Sequence, residues 1–469
     1  MAIAAPLAVA APPGPAPLAR HAAETVRLAL PMIGARTGLI LMLTADTVMT
    51  GWAGAEELAY LAVGIAPQIT LMLMAIGALQ ATAVLVAQAV GAGEGWRAGA
   101  KLRAGLVHAL ILGLAVALAT PFAEDLFLAL GQPAQIAAGA ADVSRAFAIG
   151  LPGLLMYIVA AMFLEATGRP RVAMAIILVA NVLNVPFNGV LALGWGGLVA
   201  PMGADGAVLA SSVLRWLAFA AALKVILAGA RGGDRFGVVA PPAAWLAAFA
   251  TLGGDAGRRL RRLGLPMGIA QALESAAFTT VVFLAGSIGA ATVAAYQTTM
   301  TLVVMVFMSA IGFGGAAAIR VGAAVGRGAP ADVRRAGFAA IGLGVLAAVP
   351  FSVLFALFPK AMVGLVTDDA TVVPAAAATL AFAAPFLAFD AANGVTAGAL
   401  RGIGAVWLPL AVQVAAFWLV AVPLAWWLGV ASGGGPLGLF IGIAAGMVVS
   451  AIALVACFLV VSGRPPRRA

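Results

Sequence analysis

Arg27-Leu28-Ala29-Leu30-Pro31-Met32 returns 235 residues later as Arg262-Leu263-Gly264-Leu265-Pro266-Met267. At the same offset Gly51 matches Gly286, Gly54 matches Gly289, and Ile76-Gly77 matches Ile311-Gly312. Val90-Gly91 and Gly93 likewise match Val325-Gly326 and Gly328. Agreement at Ala or Gly alone is cheap in such a composition. An ordered run of Arg, Pro and Gly matches without a gap is not, so the chain carries two copies of one unit.

What each unit is made of follows from composition. Of the 469 residues, 64% are hydrophobic and 9% are charged, against roughly 45–50% and about 25% in soluble domains. A globular fold cannot hide that much apolar surface, because its own exterior must stay polar. Runs long enough to cross a bilayer, about 20 apolar residues, recur twelve times, at 25–50, 57–91, 98–120, 143–165, 172–194, 205–230, 256–286, 291–325, 334–358, 377–400, 406–430 and 436–462. The fold class expected is therefore an all-α integral membrane protein with about twelve transmembrane helices in two six-helix lobes.

The net charge of +9 is not a nucleic-acid footprint, since the basic residues sit in short clusters between apolar runs. Twenty-two of them fall on one side of the predicted spans and two, Arg145 and Lys360, on the other. The positive-inside rule puts the rich side and both termini in the cytoplasm. The expected parts are a flexible Ala/Pro tail at 1–24, a lobe at 25–230, a cytoplasmic linker at 231–255, a second lobe at 256–462 and a basic tail at 463–469. No Lys or Arg precedes the apolar stretch of the first tail, which argues against a signal peptide. Within the linker, Pro241, Pro242, Trp245 and Phe249 fit either an interfacial helix or an ordinary loop.

An even number of spans separates the copies, so both run the same way through the membrane and a pseudo-two-fold axis along the membrane normal is expected. Transporters built so bind substrate between or within the halves and rock them for alternating access; a channel or a membrane enzyme has less need of the symmetry. One cysteine, Cys457, and two histidines, His21 and His108, exclude an internal disulfide and leave little for a metal cluster. The lysines, Lys101, Lys224 and Lys360, follow Ala100, Leu223 and Pro359, so none closes a nucleotide-binding Gly-Lys motif. Energy for transport then comes from an ion gradient or a partner chain, and no cofactor is expected.

An ionised side chain at mid-bilayer costs about 2.5–3.5 kcal/mol on insertion scales, so those that persist mark function. Asp46, Glu274 and Asp390 lie inside spans. Glu274 follows Arg262 by 12 residues, ~18 Å along a helix. Asp390 precedes Arg401 by 11 residues, ~16 Å, so the two acids share a level. Asp46 lies 19 residues beyond Arg27, ~28 Å in, near the external mouth. Such carboxyls can alternate between a proton and a bound cation. In Asn184-Val185-Pro186-Phe187-Asn188 two amides share one helix face, which suits a polar-ligand site or hydrogen bonding between helices. His108, alone in an apolar span, reads as packing. Arg36 and Arg215 also lie inside spans, and the alternative for the acids is pairing with one of them; both sit in the N-terminal half, so they are poor partners for Glu274 and Asp390.

These motifs together resemble the multidrug and toxic compound extrusion (MATE) family, in its bacterial NorM-type branch, from about Arg27 onward. Asp46-Thr47-Val48-Met49-Thr50-Gly51 resembles the family's D-T-x-x-x-G, and Asn184 to Asn188 its N-x-P-x-N. Glu274 falls on the seventh-span glutamate, and Ala294-Ala295-Tyr296-Gln297 resembles A-A-H-Q with Tyr in place of His. Asp390 with Ala399-Leu400-Arg401-Gly402 resembles the tenth-span D…L-R-G segment.

The resemblance implies a V-shaped antiporter in a bacterial inner membrane, acting as a monomer among lipids, that exports small organic cations in exchange for H⁺ or Na⁺. It places cation and substrate contacts at Glu274 and Asp390, with aromatic neighbours Phe307 and Phe386. Phe386 stands where tyrosine is common, which removes a hydroxyl ligand from any Na⁺ at Glu274 and Asp390. Asp46, Asn184 and Asn188 match a site in the N-terminal half, so coupling in either half is open. The runner-up is a flippase for lipid-linked saccharides of the same superfamily, which calls for a basic cavity. A membrane enzyme would need clustered His, Asp or Ser near one interface, and the sequence offers none.

Overall fold

Pro17 fixes where the first helix begins: its carbonyl accepts from the backbone N–H groups of Arg20 and His21. The computed structural model describes residues 17–463, and α1 runs Leu18–Ala53. This corrects the expected tail, whose last residues are helical. The physical reason is His21, which is buried and takes a hydrogen bond at 2.8 Å from Arg320 Nη2 on its Nδ1. Its other nitrogen lies 3.4 Å from Asp332. The remainder of that tail, and the basic tail after Gly463, lie outside the described residues.

Among the described residues twelve helices are long and apolar enough to cross a membrane. After α1 come α2 (Ala55–Gly91), α3 (Gly95–Ala129), α4 (Ala134–Ala166), α5 (Pro170–Leu191) and α6 (Gly203–Ala230). The second set is α7 (Gly254–Ile288), α8 (Ala290–Arg327), α9 (Pro330–Leu357), α10 (Val373–Ile403), α11 (Trp407–Ala431) and α12 (Gly435–Ser462). No strand occurs among the described residues. Each expected span has its helix.

The chain forms two compact units. One, the N-unit, is Gly34–Gly268; the other, the C-unit, comprises Met1–Ile33 and Ile269–Ala469. The divisions after Ile33 and after Gly268 fall 235 residues apart, the repeat offset. Each lies two residues past an intrahelical proline, Pro31 in α1 and Pro266 in α7. A proline inside a helix has no N–H to give and crowds the carbonyl four residues back, which loosens the ladder there. The opening turns of α7 pack in the N-unit, where a Cβ on Gly264 would stand 2.3 Å from the Ala78 carbonyl oxygen. Those of α1 pack in the C-unit, where a Cβ on Gly312 would meet Ile33 Cγ1 at 2.3 Å. Small residues at helix crossings are how spans approach closely in lipid, where apolar burial alone gives no preference for protein over acyl chains.

In the N-unit α4 is the central helix, buried on nearly every side from Phe147 to Ala166. Its all-round apolar pattern is what a helix enclosed by others requires. In the C-unit a core of small and aromatic residues joins α8, α10, α11 and α12.

The linker is ordered and part of the N-unit. Asp234 accepts the N–H groups of Val238 at 2.9 Å and Val239 at 2.7 Å. Arg103 donates to the Gly237 carbonyl at 3.0 Å, and Phe236 packs edge-on against Phe163. Of the two readings of the apolar stretch the helical one holds: Pro242–Ala250 is a short helix with no buried residue. Beyond it Leu252 takes a left-handed φ of 47°, a strained backbone for leucine. Arg261 donates to its carbonyl at 2.9 Å and pairs with His108 Nε2 at 3.0 Å. His108 Nδ1 is 2.7 Å from the Ala104 carbonyl, so His108 is a structural strut.

Candidate functional site

The N-unit gathers the motifs of α1, α5 and α6 onto one carboxylate. Asp46 is 3% exposed. Its Oδ1 accepts from Asn188 Nδ2 at 2.8 Å and Asn184 Nδ2 at 3.1 Å, so the i, i+4 amides act as a pair across the helix gap. Ser211 Oγ donates to Oδ2 at 2.6 Å and accepts from Asn184 at 2.9 Å. All three partners are fully buried. Pro186 between the two amides cannot donate to the ladder, which frees the backbone there without displacing either side chain.

One turn after Ser211 stands Arg215, 5% exposed. Its guanidinium lies 4.4 Å above the Phe147 ring, and its charge acts on Asp46. Arg215, Met42, Leu43, Leu214 and Tyr157 are among the lining of a small apolar cavity of about 40 Å³. Arg36 serves a different acid: its Nη2 is 3.8 Å from Glu165 Oε2, which is 1% exposed.

The C-unit holds the other acids. Asp390 is 6% exposed, and Glu274 is within electrostatic reach of both Asp390 and Arg401. One turn beyond Asp390, a Cβ on Gly394 would lie 3.6 Å from Phe307 Cε2, which brings Phe307 over the same helix face. Phe386 stacks on Phe382, ring centroids 4.9 Å apart, and approaches Phe389 at 6.4 Å. One turn beyond Glu274, Phe278 packs on Phe417 at 5.8 Å, and Trp418 Nε1 donates to the Leu273 carbonyl at 3.1 Å.

Those two aromatic residues lie in a π-helical stretch of α11, Ala415–Ala421, and a second one follows at Trp426–Ala431. Pro423 stands between them, and its clash with the carbonyl four residues earlier is relieved by a wider turn. Such π-turns are rare and gather at functional sites. Neither Phe417 nor Trp418 stands out in the sequence, although Pro423 signals the irregular turn beside them. Glu165, Ser211 and Arg401 as partners were also missed. Among the described residues no group of three or more His, Cys, Asp and Glu is placed to hold a metal ion.

The two-copy pattern reappears in comparison with known proteins. The MatE family model matches residues 31–190 and again 266–427, each match beginning at one of the paired prolines. "Probable multidrug resistance protein NorM" of Rhodopseudomonas palustris is 34% identical over 436 residues, 92% of this chain and 90% of that one. Its namesake in Caulobacter vibrioides is 33% identical over 430 residues, 91% and 89% of the two chains. Among solved structures, the eukaryotic MATE transporter AtDTX14 superposes with a TM-score of 0.83 at 19% identity, over 94% of this chain and 96% of that one. The Vibrio cholerae MATE transporter VcmN in its bent form gives 0.81 at 17% identity, over 95% and 98%. With both halves of the chain matched and the NorM proteins aligned over nearly their whole length, this chain belongs to the MatE family, in its bacterial NorM-type branch.

Proposed function

We propose that this chain is a secondary antiporter that exports cationic, amphiphilic compounds in exchange for H⁺ or Na⁺. The observation that carries this reading is that each unit keeps acid inside its apolar helices: Asp46 in one, Glu274 with Asp390 in the other. A carboxyl in such a place can trade its charge for a proton or hold a cation, and either step changes the local net charge by one. The aromatic rings around the C-unit acids suit a flat organic cation, which a π-face attracts. Glu274, Asp390, Phe307 and Phe386 are assigned to that cation, and Asp46, Asn184 and Asn188 to coupling. The multidrug-resistance names of the NorM relatives support the substrate class.

In this reading the two units alternate access by rocking, no cofactor takes part, and a monomer suffices. The protein sits in the bacterial inner membrane with both termini in the cytoplasm, as the distribution of basic residues argues. The acidic interior also disfavours the flippase, which calls for a basic cavity.

Expression in a bacterium stripped of its own efflux pumps tests this. Ethidium accumulation falls and growth in ethidium is restored by the wild type, while Glu274→Gln and Asp390→Asn restore neither. Unchanged accumulation with every organic cation tried, at normal protein levels in the membrane, contradicts the reading.

A further inference from the structure

Arg215 has no part in the function proposed so far, yet it is a permanently charged group in the apolar interior of the N-unit. Ser211, one turn before it on α6, donates to Asp46. Met42, one turn before Asp46 on α1, lines the same cavity as Arg215. Both helices therefore bring the guanidinium to the turn next to the carboxylate. Nη1 of Arg215 has no hydrogen-bond partner, and Asp46 is the charged group that acts on it. The other charged groups near this interior are otherwise engaged: Glu165 of α4 faces Arg36 of α1. Tyr157 of α4 gives its hydroxyl hydrogen to the Ala173 carbonyl at 2.8 Å, and α5 contributes the amides Asn181, Asn184 and Asn188.

The surroundings of Asp46 consist of donors. Two amide N–H groups and one hydroxyl point at its oxygens, and the charge beside it is already a cation. Hard cations take about six oxygens. Here Asn184 Oδ1 is occupied by Asn188 Nδ2 at 3.3 Å, and Asn188 Oδ1 is the amide oxygen left without a partner. Thr50 Oγ1, one turn beyond Asp46 on α1, is the hydroxyl oxygen without a partner, so a sodium ion would have to shed its water for a few neutral oxygens and the carboxylate, next to a fixed positive charge. A proton needs no shell of ligands: it forms one O–H bond on the carboxylate.

We propose that Arg215 is the built-in counter-cation of Asp46 and makes this carboxylate selective for protons over Na⁺. The proposal rests on the antiport reading above and names the ion that the N-unit exchanges. It also gives protonation a consequence, since neutralising Asp46 leaves the guanidinium uncompensated in the apolar interior. The N-unit then becomes net positive and repels a second cation, the organic substrate included. Exchange can therefore be enforced by charge without the two ions sharing a site.

The test is radiolabelled Na⁺ binding to purified full-length protein in lipid nanodiscs, in a Glu274→Gln, Asp390→Asn background that silences the C-unit acids. The background protein is expected to bind no Na⁺ that Asp46→Asn removes. Adding Arg215→Met creates Na⁺ binding that Asp46→Asn abolishes, while Arg215→Lys creates none. Arg215→Gln replaces Arg215→Met should the latter fail to give monodisperse protein. Asp46-dependent Na⁺ binding before any change at Arg215 overturns the proposal, as does a folded Arg215→Met or Arg215→Gln protein that gains none. Because binding is read without transport, either result leaves the antiport reading standing, and an inactive transporter would still reveal what Arg215 does to ion choice.

Discussion

Ser211 Oγ donates to Asp46 Oδ2 at 2.6 Å across 165 positions of sequence, the shortest of the three hydrogen bonds that hold this buried carboxylate. Ser211→Ala leaves Oδ2 without its donor, and an unsatisfied buried acceptor costs about 1–3 kcal/mol. The variant should therefore unfold at lower temperature in detergent, followed by tryptophan fluorescence, and its proton-driven export should fall several-fold. Ser211→Thr, which keeps the hydroxyl, should recover most of the export. Equal losses in the two variants would mean that the hydroxyl does not matter.

Arg36 and Glu165 face each other at 3.8 Å in the N-unit, and Glu165 Oε2 has no hydrogen-bond partner. Removing one partner of a buried pair strands the other charge, at a cost of about 3–5 kcal/mol. Arg36→Met alone should lower stability more than Arg36→Met combined with Glu165→Gln. Additive losses in a double-mutant cycle of thermal unfolding would show that the two charges do not interact.

Gly264 meets the Ala78 carbonyl so closely that a Cβ has no room, whereas Gly286 in the same helix has nothing within 4 Å of where its Cβ would be. Gly264→Ala should destabilise by about 1–3 kcal/mol through overpacking. Gly286→Ala should be neutral or stabilise by up to about 1 kcal/mol, since alanine is the better helix former. The two unfolding midpoints, measured side by side, should move in opposite directions or one should not move. A fall at Gly286 as large as at Gly264 would count against the packing described.

The helices were legible because lipid demands long apolar runs and the runs were there. The repeat was legible because proline and arginine are scarce enough in spans to register when they recur in order. Asp46 and the two asparagines could be picked out singly, since polar groups in lipid are costly. That they meet could not be read, because nothing local joins position 46 to positions 184 and 188. Ser211 gave no signal: a serine inside a span usually bonds its own helix backbone. Arg36 and Arg215 were both open as partners of Asp46, and only α6 laid beside α1 shows that Arg215 is the one. Glu165 and Arg401 escaped for a shared reason. Glu165 is the last residue of the predicted span 143–165 and Arg401 the first after 377–400, where a charge at a cytoplasmic end gives no sign of burial; the structure brings them to other charged groups. The first-helix boundary shifted for a similar reason, since His21 finds its partners on α8 and α9.

The most direct test of ion-coupled export is reconstitution into liposomes, with ethidium movement followed under an imposed pH gradient or an imposed Na⁺ gradient. Transport should be driven by at least one of the two gradients and lost in Glu274→Gln and in Asp390→Asn, with Asp46→Asn removing the proton-driven component. Ethidium or any other organic cation left unmoved by both gradients, in vesicles shown to hold folded protein, would contradict ion-coupled export.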